Sequence, residues 1–222
     1  VPVVAYNTTA TAVSACLNID ITQLPSNGAG VSISGATTTL KRLNAKVHNP
    51  VDGCTTGAVL VSAGSTVNSC RVSEIRAAYG SNVFAVWNVG TLQELYVIDA
   101  EVGGTGSRVV SQQGVCGRIM MNDVRHTSGY RTFEQSAAAN AGVTVMMSNV
   151  RVNSITNLAY FAKTAKLLTT NTEIQSGGAA AGIGVDGVGT TVTWQGDAVF
   201  NGVTESVLTN SGVLTKTTSV VV

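Results

Sequence analysis

Met146-Met147-Ser148-Asn149-Val150 reads as a strand that ends on a polar residue followed by a β-branched one. Upstream, Met120-Met121-Asn122-Asp123-Val124 repeats the same order. Working outward, the pattern returns at Leu43-Asn44-Ala45-Lys46-Val47, Val72-Ser73-Glu74-Ile75, Ile98-Asp99-Ala100-Glu101-Val102 and Thr170-Asn171-Thr172-Glu173-Ile174. The aliphatic anchors Val47, Ile75, Val102, Val124, Val150 and Ile174 are 28, 27, 22, 26 and 24 residues apart, and a degraded copy falls at Val199. A recurrence near 25 residues is the signature of a stacked repeat, in which no unit closes a core alone.

Turn residues punctuate the same period. After the anchors come Asn49-Pro50-Val51-Asp52-Gly53, Tyr79-Gly80-Ser81-Asn82, Gly103-Gly104-Thr105-Gly106, Thr127-Ser128-Gly129, Asn153-Ser154, Ser176-Gly177-Gly178 and Asn201-Gly202. A second glycine precedes most anchors: Gly35, Gly64, Gly90, Gly114 and Gly142. Glycine reaches positive φ without steric cost, so two marks per repeat imply at least two corners. Strand, corner, strand, corner is one coil of a β-solenoid. We therefore expect an all-β, right-handed parallel β-helix of about six to seven coils. Residues 1–28 form an N-terminal cap, 29–200 the repeats, and 201–222 a β-prone tail that can serve self-association. A β-sandwich with regular turns is the rival. Leucine-rich repeats lack support because their Leu skeleton is absent, and a propeller needs about 40 residues per blade.

Stacking in register predicts a buried column of the six anchors. Strand period two adds Ala45, Ser73, Ala100, Asn122, Ser148 and Thr172 on the same inward side. One position resists: Arg71 falls where an inward residue is expected while Cys70 and Val72 look buried, which a bulge or corner would reconcile.

Composition agrees with strands and narrows the partners. Only 11% of residues are charged and the formal net charge is +1, so no basic field points to nucleic acid. The apolar Gly/Ala stretch from Gly177 to Val188 is interrupted by Asp186 and is too short for a membrane helix of about 20 residues. The chain begins at Val1 without Met, as a fragment or processed product does. Cys16, Cys54, Cys70 and Cys116 lack CxxC spacing, which leaves buried thiols as the expectation and a disulfide such as Cys54–Cys70 open.

Chemistry-bearing motifs are few. No phosphate loop, nucleophile elbow or His-Glu-x-x-His occurs. His48 and His126 are read as isolated surface residues about 14 Å apart, at about 4.8 Å per coil. No cofactor or metal site is expected. The Asn7-Thr8-Thr9 sequon carries little weight in a Thr-rich chain. The Met pairs fall at equivalent places in adjacent coils and suit gap-filling in and around the core.

One constellation has geometry worth weighing. Residues before each anchor point outward as Lys46, Glu74, Glu101, Asp123, Asn149 and Glu173. Those after it read His48, Arg76, Gly103, Arg125, Arg151 and Gln175. Stacking brings Glu74, Glu101 and Asp123 together as weak catalytic candidates, at about the 5 Å carboxyl separation of retaining glycosidases. The plainer reading is a solvated charged face neutralised by Arg76, Arg125 and Arg151. Those arginines and Tyr96 are the candidates for binding a surface, with Trp87 and Tyr130 as further aromatics.

Coils such as Asn149-Val150-Arg151-Val152-Asn153 and Asn171-Thr172-Glu173-Ile174-Gln175-Ser176-Gly177-Gly178 resemble the parallel β-helices of bacteriophage tailspikes and tail fibres, which are similar to pectate lyases. The likeness spans about residues 30–200 in style and turn placement. It implies a virion protein, extracellular on the particle, that forms a homotrimer, joins other tail proteins and binds a bacterial surface glycan or protein. The near-neutral charge and the lack of a membrane-length apolar stretch add the expectation of no nucleic-acid partner and no membrane insertion. No catalytic carboxylates carry over, which favours a non-enzymatic module over a polysaccharide depolymerase. A bacterial extracellular adhesin is the third reading.

Overall fold

The computed structural model describes residues 4–7, 15–21, 29–35, 39–47, 57–77, 84–153, 156–175, 181–201, 208–210 and 212–217. Among them there is no helix, and every paired strand runs parallel to its neighbours. A sandwich of antiparallel hairpins is thereby replaced by a β-solenoid.

Short and long strands alternate along the chain. The short ones are β1 (Val4–Asn7), β3 (Ala29–Ser34), β5 (Gly57–Val61), β7 (Phe84–Asn88), β9 (Arg108–Gln112), β11 (Arg131–Gln135), β13 (Asn157–Phe161), β16 (Ala181–Asp186) and β19 (Leu208–Asn210). They stack in that order as one sheet. The opposite sheet stacks β2 (Ala15–Ile21), β4 (Thr39–Val47), β6 (Thr66–Ala77), β8 (Thr91–Val102), β10 (Val115–His126), β12 (Val143–Asn153), β14 (Ala165–Thr170), β17 (Thr191–Gly196) and β20 (Val213–Thr217). Two short pieces, β15 (Glu173–Gln175) and β18 (Val199–Asn201), continue beside β12. Strands thus appear on both sides of the expected 29–200 span: β1 and β2 pair with β3 and β4, while β19 and β20 pair with β16 and β17.

Inward side chains form continuous columns between the sheets. Leu43, Cys70, Leu95, Ile119, Val145, Leu167 and Trp194 follow one another rung by rung, all buried. Across the core run Val31, Val59, Val86, Val110, Phe133, Ala159 and Ile183. β-branched residues dominate because their restricted χ1 suits a pleated, buried surface. The first column ends on Trp194, whose indole N–H donates to Thr169 Oγ1 at 2.9 Å and whose ring lies 4.4 Å under Lys216 Nζ.

A third corner, hidden inside the long strands, sets the phase of everything after it. Glu74, Asp99, Asp123, Asn149 and Asn171 all have left-handed backbone, with φ of 56°, 52°, 54°, 53° and 48°. Asn and Asp tolerate this region better than most residues because a short polar side chain can bond locally. The turn breaks the two-residue alternation: Cys70 and Val72 are inward before it and Ile75 after it. This is why Arg71 is exposed. The same break moves Ser73, Asn122 and Ser148 to half-buried outer positions, whereas Ala45, Ala100 and Thr172 are buried. The expectation that all six share the inside fails for that reason.

Register also corrects the anchor column. Ile75 pairs with Ala100, and Ala100 with Val124, so the spacings of 27 and 22 become 25 and 24. Val102 belongs one column further on, with His126, Val152 and Ile174. The Met pairs do align, Met120 with Met146 and Met121 with Met147, the second of each being buried.

Glycines mark the expected corners for two reasons. Gly35, Gly64 and Gly142 have positive φ. Gly114 instead lies where a Cβ would come within 2.0 Å of the Gly90 carbonyl oxygen, a close approach only glycine permits. Buried amides tie this corner together. Asn88 Nδ2 donates to Gln112 Oε1 at 2.9 Å and to the Val115 carbonyl at 3.0 Å, and Gln135 Nε2 donates to the Asn140 carbonyl at 2.8 Å.

Candidate functional site

The polar left-handed column forms a ridge, and the expected surface residues divide between its two sides. Beyond it lies a cleft of about 420 Å³ lined by Arg76, Asp99, Glu101, Asp123, Arg125, Asn149 and Arg151. Before it, a broader depression includes Glu74, Tyr96, Glu94, Arg71 and Lys46. Arg76, Arg125 and Arg151 therefore share one cleft, while Tyr96 stands in the other.

The three carboxylates do not stack as expected. Glu74 and Asp123 occupy the left-handed column with Asp99 between them. Glu101 lies in the next column, opposite Arg76 on one side and Arg125 on the other. The displacement comes from Ala100: a methyl fills the inward position that was assigned to Val102, so Glu101 follows the anchor rather than preceding it. Likewise Glu173 opposes Arg151, and Asn171 takes the corner position.

Most acidic groups here are engaged with the scaffold. Arg76 Nη2 lies 2.8 and 3.0 Å from the two Asp99 carboxylate oxygens, and its Nη1 donates to the Ile75 and Asp99 carbonyls at 2.9 and 2.8 Å. Asp123 accepts from the side-chain amides of Asn122 and Asn149, and Asn149 in turn accepts from Asn171 at 3.1 Å. Lys46 Nζ lies 2.6 Å from Glu74 Oε1, a contact that raises the lysine pKa. The Tyr96 hydroxyl donates to Glu94 at 3.0 Å, which pushes its own pKa up. Among the described residues Glu101, Arg125 and Arg151 form no ion pair. Carboxylates that close a corner in this way are held in a fixed orientation.

Two features were misplaced or missed by sequence reasoning. His126 is fully buried rather than on the surface, inserted in the column between Val102 and Val152. Its Nε2 lies 2.9 Å from Ser107 Oγ and its Nδ1 3.1 Å from Thr132 Oγ1, and burial lowers its pKa to about 3. Ser107 Oγ donates onward to the Ser128 carbonyl at 2.8 Å. All three side chains are sealed from solvent, so this chain of hydroxyls and imidazole is a core network rather than a reacting site. His48 and Cys54 lie outside the described residues. Cys70 and Cys116 are free thiols in the core, where burial pushes their pKa up to about 12, and Cys16 is exposed.

The second is a cation–π stack on the short-strand side. Arg131 lies 4.2 Å from the Tyr130 ring and 3.5 Å from that of Tyr160, and Arg108 sits 4.8 Å from Tyr130 and 5.5 Å from Phe84. Both guanidiniums pair with Glu134. Tyr160 bonds Asp186, and burial, then that carboxylate, raises its pKa to about 12. Trp87 stacks on Phe84 at 5.3 Å. Trp87 and Tyr130 thus belong to a self-neutralised patch on the other sheet from Tyr96. A period-based reading missed it because these residues lie on the short strands or, as Tyr130 does, just before one, and it did not align those strands.

Compared with known proteins, the chain matches no family model, no curated protein and no solved structure.

Proposed function

We propose that this chain is a non-catalytic structural and receptor-binding module of the bacteriophage tail-fibre or tailspike kind, extracellular on a virion. It self-associates as a homotrimer beside other tail proteins and reads a bacterial surface glycan or protein. One observation supports this above the rest: a cleft whose charged side chains repeat at rung spacing on a rigid corner, with Asp99 and Asp123 bonded into that corner. Arg76, Asp99 and Asp123 are locked by neighbours and hold a fixed frame, beside which Arg125 and Arg151 stand on regular strands with their guanidiniums open to a ligand, as selective recognition needs.

The test is binding of labelled protein to bacterial cells and to their purified surface polysaccharides, together with mass in solution. Arg76→Gln, Tyr96→Ala, Arg125→Gln and Arg151→Gln each weaken binding, no reducing ends are released, and the mass is that of three chains. Release of reducing sugar that Glu101→Gln abolishes overturns the non-catalytic reading in favour of a depolymerase. A monomer removes the trimer.

A further inference from the structure

Along the column just past the corner, successive rungs present Arg76, Glu101, Arg125, Arg151 and Glu173. Signs alternate except at one step. Arg125 and Arg151 are direct Cα partners, so two guanidinium stems rise from strands about 4.8 Å apart. Like charges placed opposite each other in a sheet repel. Among the described residues no nearby carboxylate closes an ion pair on either guanidinium: Asp99 is held by Arg76, Asp123 accepts from two amides, and Glu173 accepts the Gln175 amide at 2.7 Å. Glu101 opposes Arg125 from the side away from Arg151 and pairs with neither.

Position adds a second argument. A smaller cleft of about 180 Å³, lined by Arg125, Arg151, Val152, Asn153, Glu173 and Gln175, adjoins the larger one. Arg125 and Arg151 are the two residues common to both clefts. Both are exposed, and among the described residues neither has a hydrogen-bond or ion-pair partner. A guanidinium presents its donors as a planar fork that matches carboxylate and phosphate oxygens. Two such forks on adjacent rungs can close on one oxyanion and cancel their mutual repulsion.

We propose that Arg125 and Arg151 together form a binding site for a single oxyanion, a carboxylate or a phosphate, carried by a ligand that crosses the saddle between the two clefts. The site deepens the recognition reading and rests on it for the choice of surface.

Side-chain Nε–Hε resonances of the arginines in the full chain, followed by NMR during titration at fixed ionic strength, test it. The probes are sodium phosphate, sodium glucuronate and, as a neutral control, glucose. Two arginine signals, assigned through Arg125→Gln and Arg151→Gln, shift saturably with an anion and not with glucose. Each variant raises the half-saturating concentration by about tenfold or more, whereas Arg118→Gln on the outer strand face leaves it unchanged. Saturation by phosphate alone assigns a phosphorylated ligand and by glucuronate alone a carboxylated one; either result supports the site. Absence of saturation with both anions, or an unchanged midpoint in Arg151→Gln, overturns it. Cell binding would stand apart from that failure, so the anion site and the recognition reading fall separately.

Discussion

Asn149 donates its side-chain amide to the carboxylate of Asp123 on the preceding rung and accepts the amide of Asn171 from the next. All three residues have left-handed backbone. A corner that needs positive φ is thus filled by side chains short enough to bond their counterparts above and below, and the ladder fixes where each long strand changes direction.

Replacing Asn149 separates the two contributions. Asn149→Val puts a β-branched residue at φ 53° and removes both bonds, so it destabilises by about 2 kcal/mol or more. Asn149→Gly removes the bonds but keeps the backbone unstrained, and costs about 1 kcal/mol or less. Urea denaturation of the two variants checks the order; equal losses would show that the left-handed corner carries no constraint.

Protonation of His126 is the pH-sensitive step in the core. The folded pKa is about 3 against an ordinary 6.5, so the unfolded chain takes up the proton first as pH falls. Its contribution is complete above about pH 6.5 and declines toward pH 3, by about 1.4 kcal/mol for each pH unit within that window. His126→Val, matching its column neighbours Val102 and Val152, removes this dependence. Denaturant midpoints between pH 7 and pH 4 measure it, and parallel curves for the two proteins would contradict the assignment.

Glu134 holds two cations that have little access to water. The side chains of Arg108, Arg131 and Glu134 are only 17%, 12% and 16% exposed. Glu134→Ala leaves both guanidiniums uncompensated beside the rings and costs about 3 kcal/mol. Lys46→Ala breaks an exposed pair with Glu74 and leaves thermal stability within error of the parent. Calorimetry of the two variants distinguishes them, and similar melting temperatures would mean that charges in the aromatic patch are screened as well as they are in water.

Much of the architecture is legible in the sequence because stacking imposes a period on it. Recurrence near 25 residues, paired methionines and glycine punctuation carry the solenoid, and the misfit at Arg71 marks the corner. What escapes is the phase. A left-handed φ leaves no trace beyond a preference for Asn and Asp, and those residues look like ordinary surface polars. Ala100 compounds this: a small inward residue reads as weaker than Val102 two positions on, and choosing the larger one moved Glu101 into the wrong column. His126 was misread for a related reason, since its burial depends on Ser107 and Thr132, hydroxyls supplied from outside its own strand.

Cysteine cross-linking tests the register most directly. In a background with Cys16 and Cys54 replaced by Ser, Glu101→Cys combined with Arg125→Cys places two thiols on directly paired positions, within the Cα range of about 4.4–6.8 Å that a disulfide spans. Mild oxidation should then close an intramolecular bridge, while Glu101→Cys with Asp123→Cys should stay reduced. Bridging by the second pair and not the first would contradict the rung alignment on which the corner, the clefts and the arginine pair all rest.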